Sequence, residues 1–90
     1  MIEFVKACEI AVQYFENNLG ISGLATATEN DDFWFFSGGD PYLNMIGNEV
    51  ISVSKKDGDV GYVDMLSDTG FETIRNSIAV GIPKKYIGSN

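Results

Sequence analysis

The side chains that could do chemistry in this 90-residue sequence are mostly carboxylates, thirteen of them against six basic residues. Asp31, Asp32 and Asp40 bracket an aromatic run, Phe33-Trp34-Phe35-Phe36. Two carboxyl groups flanking a bound sugar would be the acid and base of a glycoside hydrolase, but neighbouring positions in a turn do not set a separation in space. Asp57, Asp59 and Asp64 crowd a second stretch. A calcium loop needs a glycine at its sixth position and a glutamate at its twelfth; Gly61 falls at the fifth counted from Asp57, so the pattern fails and an ordinary Asp-Gly hairpin explains these residues. There is no histidine, which removes the commonest general base and metal ligand. The single cysteine, Cys8, can form neither an intramolecular disulfide nor a Cys-His dyad. Gly38-Gly39 is not followed by lysine and does not open a helix, so it is no phosphate loop. A domain so equipped has few ways to tune a base near neutral pH, and the expectation is a protein that is not an enzyme and uses no metal or cofactor.

The elements that must position these groups follow from periodicity. From Ile2 to Leu19 the apolar residues Ile2, Val5, Cys8, Val12, Phe15 and Leu19 recur at steps of three and four, and Phe4, Ala11 and Tyr14 widen that side. This is an amphipathic helix of about five turns with a face broad enough to cover a sheet. Cys8 lies on that face, as a buried and inert thiol. Ile21 to Glu29 alternates Leu24, Thr26 and Thr28 with Ala25 and Ala27, a strand, and Asn30-Asp31-Asp32 turns the chain into the aromatic run. Phe33 to Phe36 is too short and too aromatic for a helix and reads as the central strand, buried on both faces.

Ser37-Gly38-Gly39-Asp40-Pro41 breaks that strand and opens a long irregular segment reaching Asn48. Its Tyr42, Leu43, Met45 and Ile46 must fold back as a lid over one end of the sheet or present an aromatic to a partner. Glu49 to Lys55 and Val60 to Met65 are two strands joined by the hairpin turn Lys56-Asp57-Gly58-Asp59. Ser67-Asp68-Thr69-Gly70 offers capping oxygens, with Glu72 three residues after Thr69 in the capping-box arrangement, for a short helix running from Thr69 to Ala79, ended by Gly81 and Pro83, with a tail beyond that is loose at its extremity. The predicted architecture is α+β, in the order α-β-β-β-β-α: one domain, 1–90, with the long N-terminal helix across a four-stranded antiparallel meander.

Apolar residues at 44% and charged residues at 21% are ordinary globular proportions. Lone-cysteine usage and the absence of an apolar N-terminal block predict a cytoplasmic protein without a signal peptide or membrane span. The net charge of −7 repels nucleic acid and anionic membranes and steers cationic proteins toward the chain. A chain this small buries only a little over 60% of its unfolded surface, so a partner or a homo-oligomer would matter to its stability.

The segment Gly47-Asn48-Glu49-Val50-Ile51-Ser52-Val53-Ser54-Lys55-Lys56-Asp57-Gly58-Asp59-Val60 resembles the strand-turn-strand of the small YrhB-like family, which includes immunity proteins of bacterial polymorphic toxin systems. The order of an amphipathic helix, a strand, an aromatic strand such as Phe33-Trp34-Phe35-Phe36, a loop reaching Gly-Asn and a hairpin with Lys55 and Gly58 is similar too. The resemblance implies no catalytic residues. It implies a protein that binds and neutralises a toxin domain, or a related chaperone-like activity. Many toxin domains are basic because they act on nucleic acids, and an acidic partner can occupy such a surface. On that basis the contact candidates are Asp31, Asp32, Trp34, Asp40 and Tyr42, an aromatic anchor among carboxylates. The alternative is a small-molecule or peptide-binding module with its pocket between the first helix and the sheet.

Overall fold

The aromatic run is the middle of a five-stranded antiparallel sheet in a computed structural model that describes residues 1–39 and 49–88. The strands are β1 (Leu24–Glu29), β2 (Phe33–Gly38), β3 (Val50–Ser54), β4 (Val60–Val63) and β5 (Ile78–Ala79), in the order β4-β3-β2-β1-β5. Helix α1 (Phe4–Leu19) crosses one face, and α2 (Asp68–Arg75) joins β4 to β5. The α+β class, the covering N-terminal helix and the four-strand meander agree with the expectation from sequence; the fifth strand does not.

The core is the layer between α1 and the sheet. Ala7, Cys8, Ala11 and Phe15 of the helix are fully buried against Leu24, Phe36, Ile51 and Val53, also fully buried. Period two sends Trp34 and Phe36 toward α1, where Phe4 packs on both rings at centroid distances of 5.7 and 6.0 Å. Phe35 points the other way and is buried as well, so β2 is covered on both faces. The strand continues beyond Phe36 through Ser37 and Gly38, which the sequence assigned to a loop. Two contacts extend it: the hydroxyls of Ser37 and Thr26 bond across the strand pair, and Gly38 lets the Phe15 ring lie directly on the backbone. A Cβ at position 38 would fall 2.7 Å from that ring.

Other corrections trace to contacts distant in sequence. The helix begins at Phe4 rather than Ile2, because the Ile2 N–H donates to the Lys55 carbonyl at the end of the sheet. Strand β1 begins at Leu24 rather than Ile21, whose N–H closes the end of α1 by bonding to the Phe15 carbonyl. The strands β3 and β4 are each shorter than predicted. Helix α2 is capped by Ser67, whose hydroxyl accepts from the Gly70 N–H, and not by the Thr69-Glu72 box. It ends at Arg75 instead of running to Ala79: the Ser77 N–H and hydroxyl both bond to the Ile74 carbonyl, and Ile78–Ala79 leave to pair with Thr28 and Glu29. Ile78 matches the helical period of Phe71 and Ile74, but the outer edge of β1 has backbone groups to satisfy, and pairing takes it.

The tail is docked as far as Gly88, and its extremity, residues 89–90, expected to be loose, lies outside the described residues. Residues Lys84–Tyr86 form a single 3-10 turn, the Tyr86 hydroxyl reaches Glu9 of α1 at 3.1 Å, and the Gly88 N–H bonds to the Leu24 carbonyl. No helix among the described residues is long and apolar enough to cross a membrane.

Candidate functional site

In an antiparallel meander the first and third connections lie at the same end of the sheet. Here they are Asn30-Asp31-Asp32, between β1 and β2, and Lys55-Lys56-Asp57-Gly58-Asp59, between β3 and β4. The Lys55 N–H donates to the Asp32 carbonyl at 3.0 Å, which ties the two turns together.

Each turn is held by its own side chains. Asn30 Oδ1 accepts from the Asp32 and Phe33 N–H groups at 2.9 and 2.8 Å, and the Asn30 N–H bonds to the Phe33 carbonyl. The Asn side chain thereby replaces the left-handed residues that two-residue hairpin loops usually require, since among the described residues none other than glycine has positive φ. In the second turn Gly58 supplies that conformation at φ 81°, its N–H bonds to the Ser54 carbonyl, and Asp57 Oδ1 accepts from the Asp59 N–H at 3.0 Å. The Asp59 N–H foremost, and then the Ser54 hydroxyl, hold the Asp57 carboxyl below its ordinary 3.8. Asp31, Asp32, Asp57 and Asp59 are all exposed, as is Lys56.

Lys55 is not part of that exposed charge. Its Nζ lies 2.6 Å from Glu29 Oε1 and 5.2 Å above the Trp34 ring, so its charge is met by a carboxylate across the sheet and by an aromatic face. The end of the sheet is consequently acidic, with rigid backbone beneath the carboxylates.

Of the residues singled out from sequence, Asp31 and Asp32 stand at this end and in the open. Trp34 lies in the core beneath it, 8% exposed, between Phe4 and Lys55. Asp40 and Tyr42 lie outside the described residues, as does the predicted lid of residues 40–48; Gly39 and Glu49, which bound that segment, adjoin the strand ends opposite to Asp31. Sequence reasoning treated Asp57 and Asp59 as hairpin chemistry alone. The signal that would have joined them to Asp31 and Asp32 was the meander itself, which puts alternate connections at one end.

The arrangement offers exposed carboxylate oxygens. Among the described residues no group of three or more Cys, Asp or Glu side chains is placed to hold a metal ion. Burial, and next the Glu9 charge, push the Cys8 thiol up to about 11, which leaves it protonated and unreactive near neutral pH. The fully buried helix residues close the space between α1 and the sheet. The clefts formed by the described residues open elsewhere, one of about 400 Å³ between α1 and Tyr86, another of about 460 Å³ along β1 beside Ala79, Val80, Ile82 and Ile87.

Fold and site together define a small α+β protein with a sheet end of exposed carboxylates on hydrogen-bonded turns. No family model matches the chain, and neither does a curated protein or a solved structure.

Proposed function

We propose that this chain is a non-enzymatic binding protein of the cytoplasm, an immunity protein that neutralises a basic toxin domain by direct protein-protein contact. The observation that carries the reading is the pair of hydrogen-bonded turns that present Asp31, Asp32, Asp57 and Asp59 at one end of the sheet. Their backbones are ordered before any partner arrives, so docking there costs little conformational entropy. A carboxylate and a cation about 8 Å apart in water attract by roughly 0.5 kcal/mol, and salt screens that over a similar distance. Several such pairs act chiefly on the rate of encounter. Trp34 supports this surface from within by holding Lys55; Asp40 and Tyr42, the other two proposed contacts, lie outside the described residues.

The test is charge reversal. Asp31→Lys with Asp32→Lys changes the net charge from −7 to −3, since each reversal adds two. The partner to use is the toxin encoded beside this gene, with association followed by stopped flow at low salt. The expected outcome is an association rate lower by tenfold or more, a flatter salt dependence and an unchanged circular dichroism spectrum. An unchanged rate would count against the acidic end, and failure of co-expression to protect cells from that toxin would count against neutralisation. The alternative of a ligand pocket between helix and sheet is not favoured by the filled layer there.

A further inference from the structure

The geometry points to β4 as the strand on which the partner docks, by accepting a basic extended segment that continues the sheet. The inference rests on the reading of this chain as a binder of a basic protein and adds the means of attachment.

The hydrogen-bond phase of the sheet decides which groups are on offer. The Lys55 N–H donates to Asp32, so on β3 the alternate residues Val53 and Ile51 face β2. The Ser54 N–H donates to Asp59, so Ser54, Ser52 and Val50 face β4, where their opposites in register are Asp59, Gly61 and Val63. The backbone N–H and C=O groups of Val60 and Tyr62 therefore point away from the sheet. Their side chains stand opposite Val53 and Ile51, on the α1 side, and both are open: Tyr62 is 63% exposed and Val60 38%.

The two sides of the sheet are treated differently. The outer side of β1 is covered at one end by β5, with the Val80 N–H on the Ala27 carbonyl, and at the other by Gly88, whose N–H bonds to Leu24. Among the described residues nothing pairs with the outer side of β4. Its sequence, Val60-Gly61-Tyr62-Val63, also lacks the lysine or proline that proteins commonly place on an edge to repel another strand. An open edge of this kind gives affinity through main-chain bonds and selectivity through alternate side chains.

Charge selects the occupant. Asp57 and Asp59 stand before the strand, Asp64 and Asp68 after it, and all four are exposed. An antiparallel pair of β4 strands from two copies, centred on Gly61, would set Asp59 of one copy across from Val63 of the other and crowd the exposed Asp57, Asp59, Asp64 and Asp68 of two chains of net charge −7 along one seam. That accumulation of like charge opposes self-pairing. A segment carrying lysine or arginine at its ends meets carboxylates instead, and can lay an alkyl stem or a cation on the Tyr62 ring.

The experiment uses the full chain, 15N-labelled, and a synthetic peptide of alternating lysine and valine, six residues long, at low salt. Amide exchange at Val60 and Tyr62 is expected to slow by tenfold or more at saturating peptide, while Gly61 and Val63, already paired within the sheet, change little. A glutamate-valine peptide is expected to give no protection. Tyr62→Pro removes the outward N–H together with the ring and is expected to weaken peptide binding by tenfold or more, with Tyr62→Ala, which removes the ring alone, weakening it less and Tyr62→Phe close to wild type. Should the proline variant lose its fold by circular dichroism, Asp59→Asn with Asp64→Asn gives the same reading through charge and is expected to weaken binding severalfold. Perturbation confined to the Asp31-Asp32 turn, with Val60 and Tyr62 untouched, would overturn the β4 inference and leave the acidic-end reading standing. Equal binding of the glutamate-valine peptide would overturn the choice of a basic occupant. Concentration-dependent protection of Val60 and Tyr62 without peptide would make the occupant a second copy and overturn it too.

Discussion

Removing the ring of Phe36 should take away a large share of the stability of this protein, and removing that of Phe33, three residues earlier on the same strand, should not. Phe36 is fully buried, lies between Ala27 and Ile51 in register, and stacks on Phe4. Truncation of a buried phenylalanine to alanine costs about 3–5 kcal/mol, the lost transfer energy plus the cavity left behind. A 90-residue domain at the usual ~0.05–0.15 kcal/mol per residue has ~5–13 kcal/mol in total. Phe33 is on the opposite face, 38% exposed, and touches Phe35 at a ring distance of 6.1 Å, so Phe33→Ala should cost about 1–2 kcal/mol. Urea unfolding of both variants measures the difference. With a slope near 1 kcal/mol per molar, expected at this size, the Phe36→Ala midpoint should fall by ~3 M or more and the Phe33→Ala midpoint by ~1–2 M. Equal shifts for the two, at unchanged slope, would refute the assignment of the core to the α1 side of β2.

Two further outcomes follow from the same layer. Gly38→Ala places a methyl against the Phe15 ring and should destabilise by about 1–3 kcal/mol in chemical denaturation, with Phe15→Leu in the same chain recovering part of that loss, because the two positions share one contact. Cys8 should resist a disulfide reagent in the folded protein: at pH 8 a thiol titrating near 11 instead of 9.0 has roughly a hundredfold less thiolate, and burial slows it further, so reactivity should appear only with unfolding. Rapid labelling of the native protein would contradict the placement of Cys8.

Much of the fold was legible because it is written in local periods. The α1 face from Val5 to Leu19, the alternation in β3 and the glycine of the Asp57-Gly58 turn each need only their neighbours to be recognised. The limits of the elements were less legible. Ile2 reads as helix until Lys55 offers it a carbonyl, and Ile78 reads as the next turn of α2 until the outer edge of β1 offers it a ladder. Ser37 and Gly38 read as a break, yet a hydroxyl partner and an aromatic ring keep them in the strand. In each case the deciding contact is distant in sequence, and no local pattern encodes it.

The candidate site divides in the same way. The exposed turn at Asp31-Asp32 was visible in the sequence, because Asn and Asp between two apolar runs mark a hairpin by their own side-chain hydrogen bonds. The tryptophan beside it was visible only as a residue type, and tertiary packing put it under Lys55 and against Phe4. By itself the sequence determined an acidic chain, without histidine, built as a helix over a meander around one aromatic strand, since composition and short-range periodicity suffice for that. Only the tertiary structure decided that the two acidic turns share an end, that β1 is covered by the docked C-terminal segment, and that among the described residues β4 keeps an unpaired edge. Those features depend on which strands pair and in which hydrogen-bond phase, and pairing is settled by the burial of the whole layer rather than by any one stretch of it.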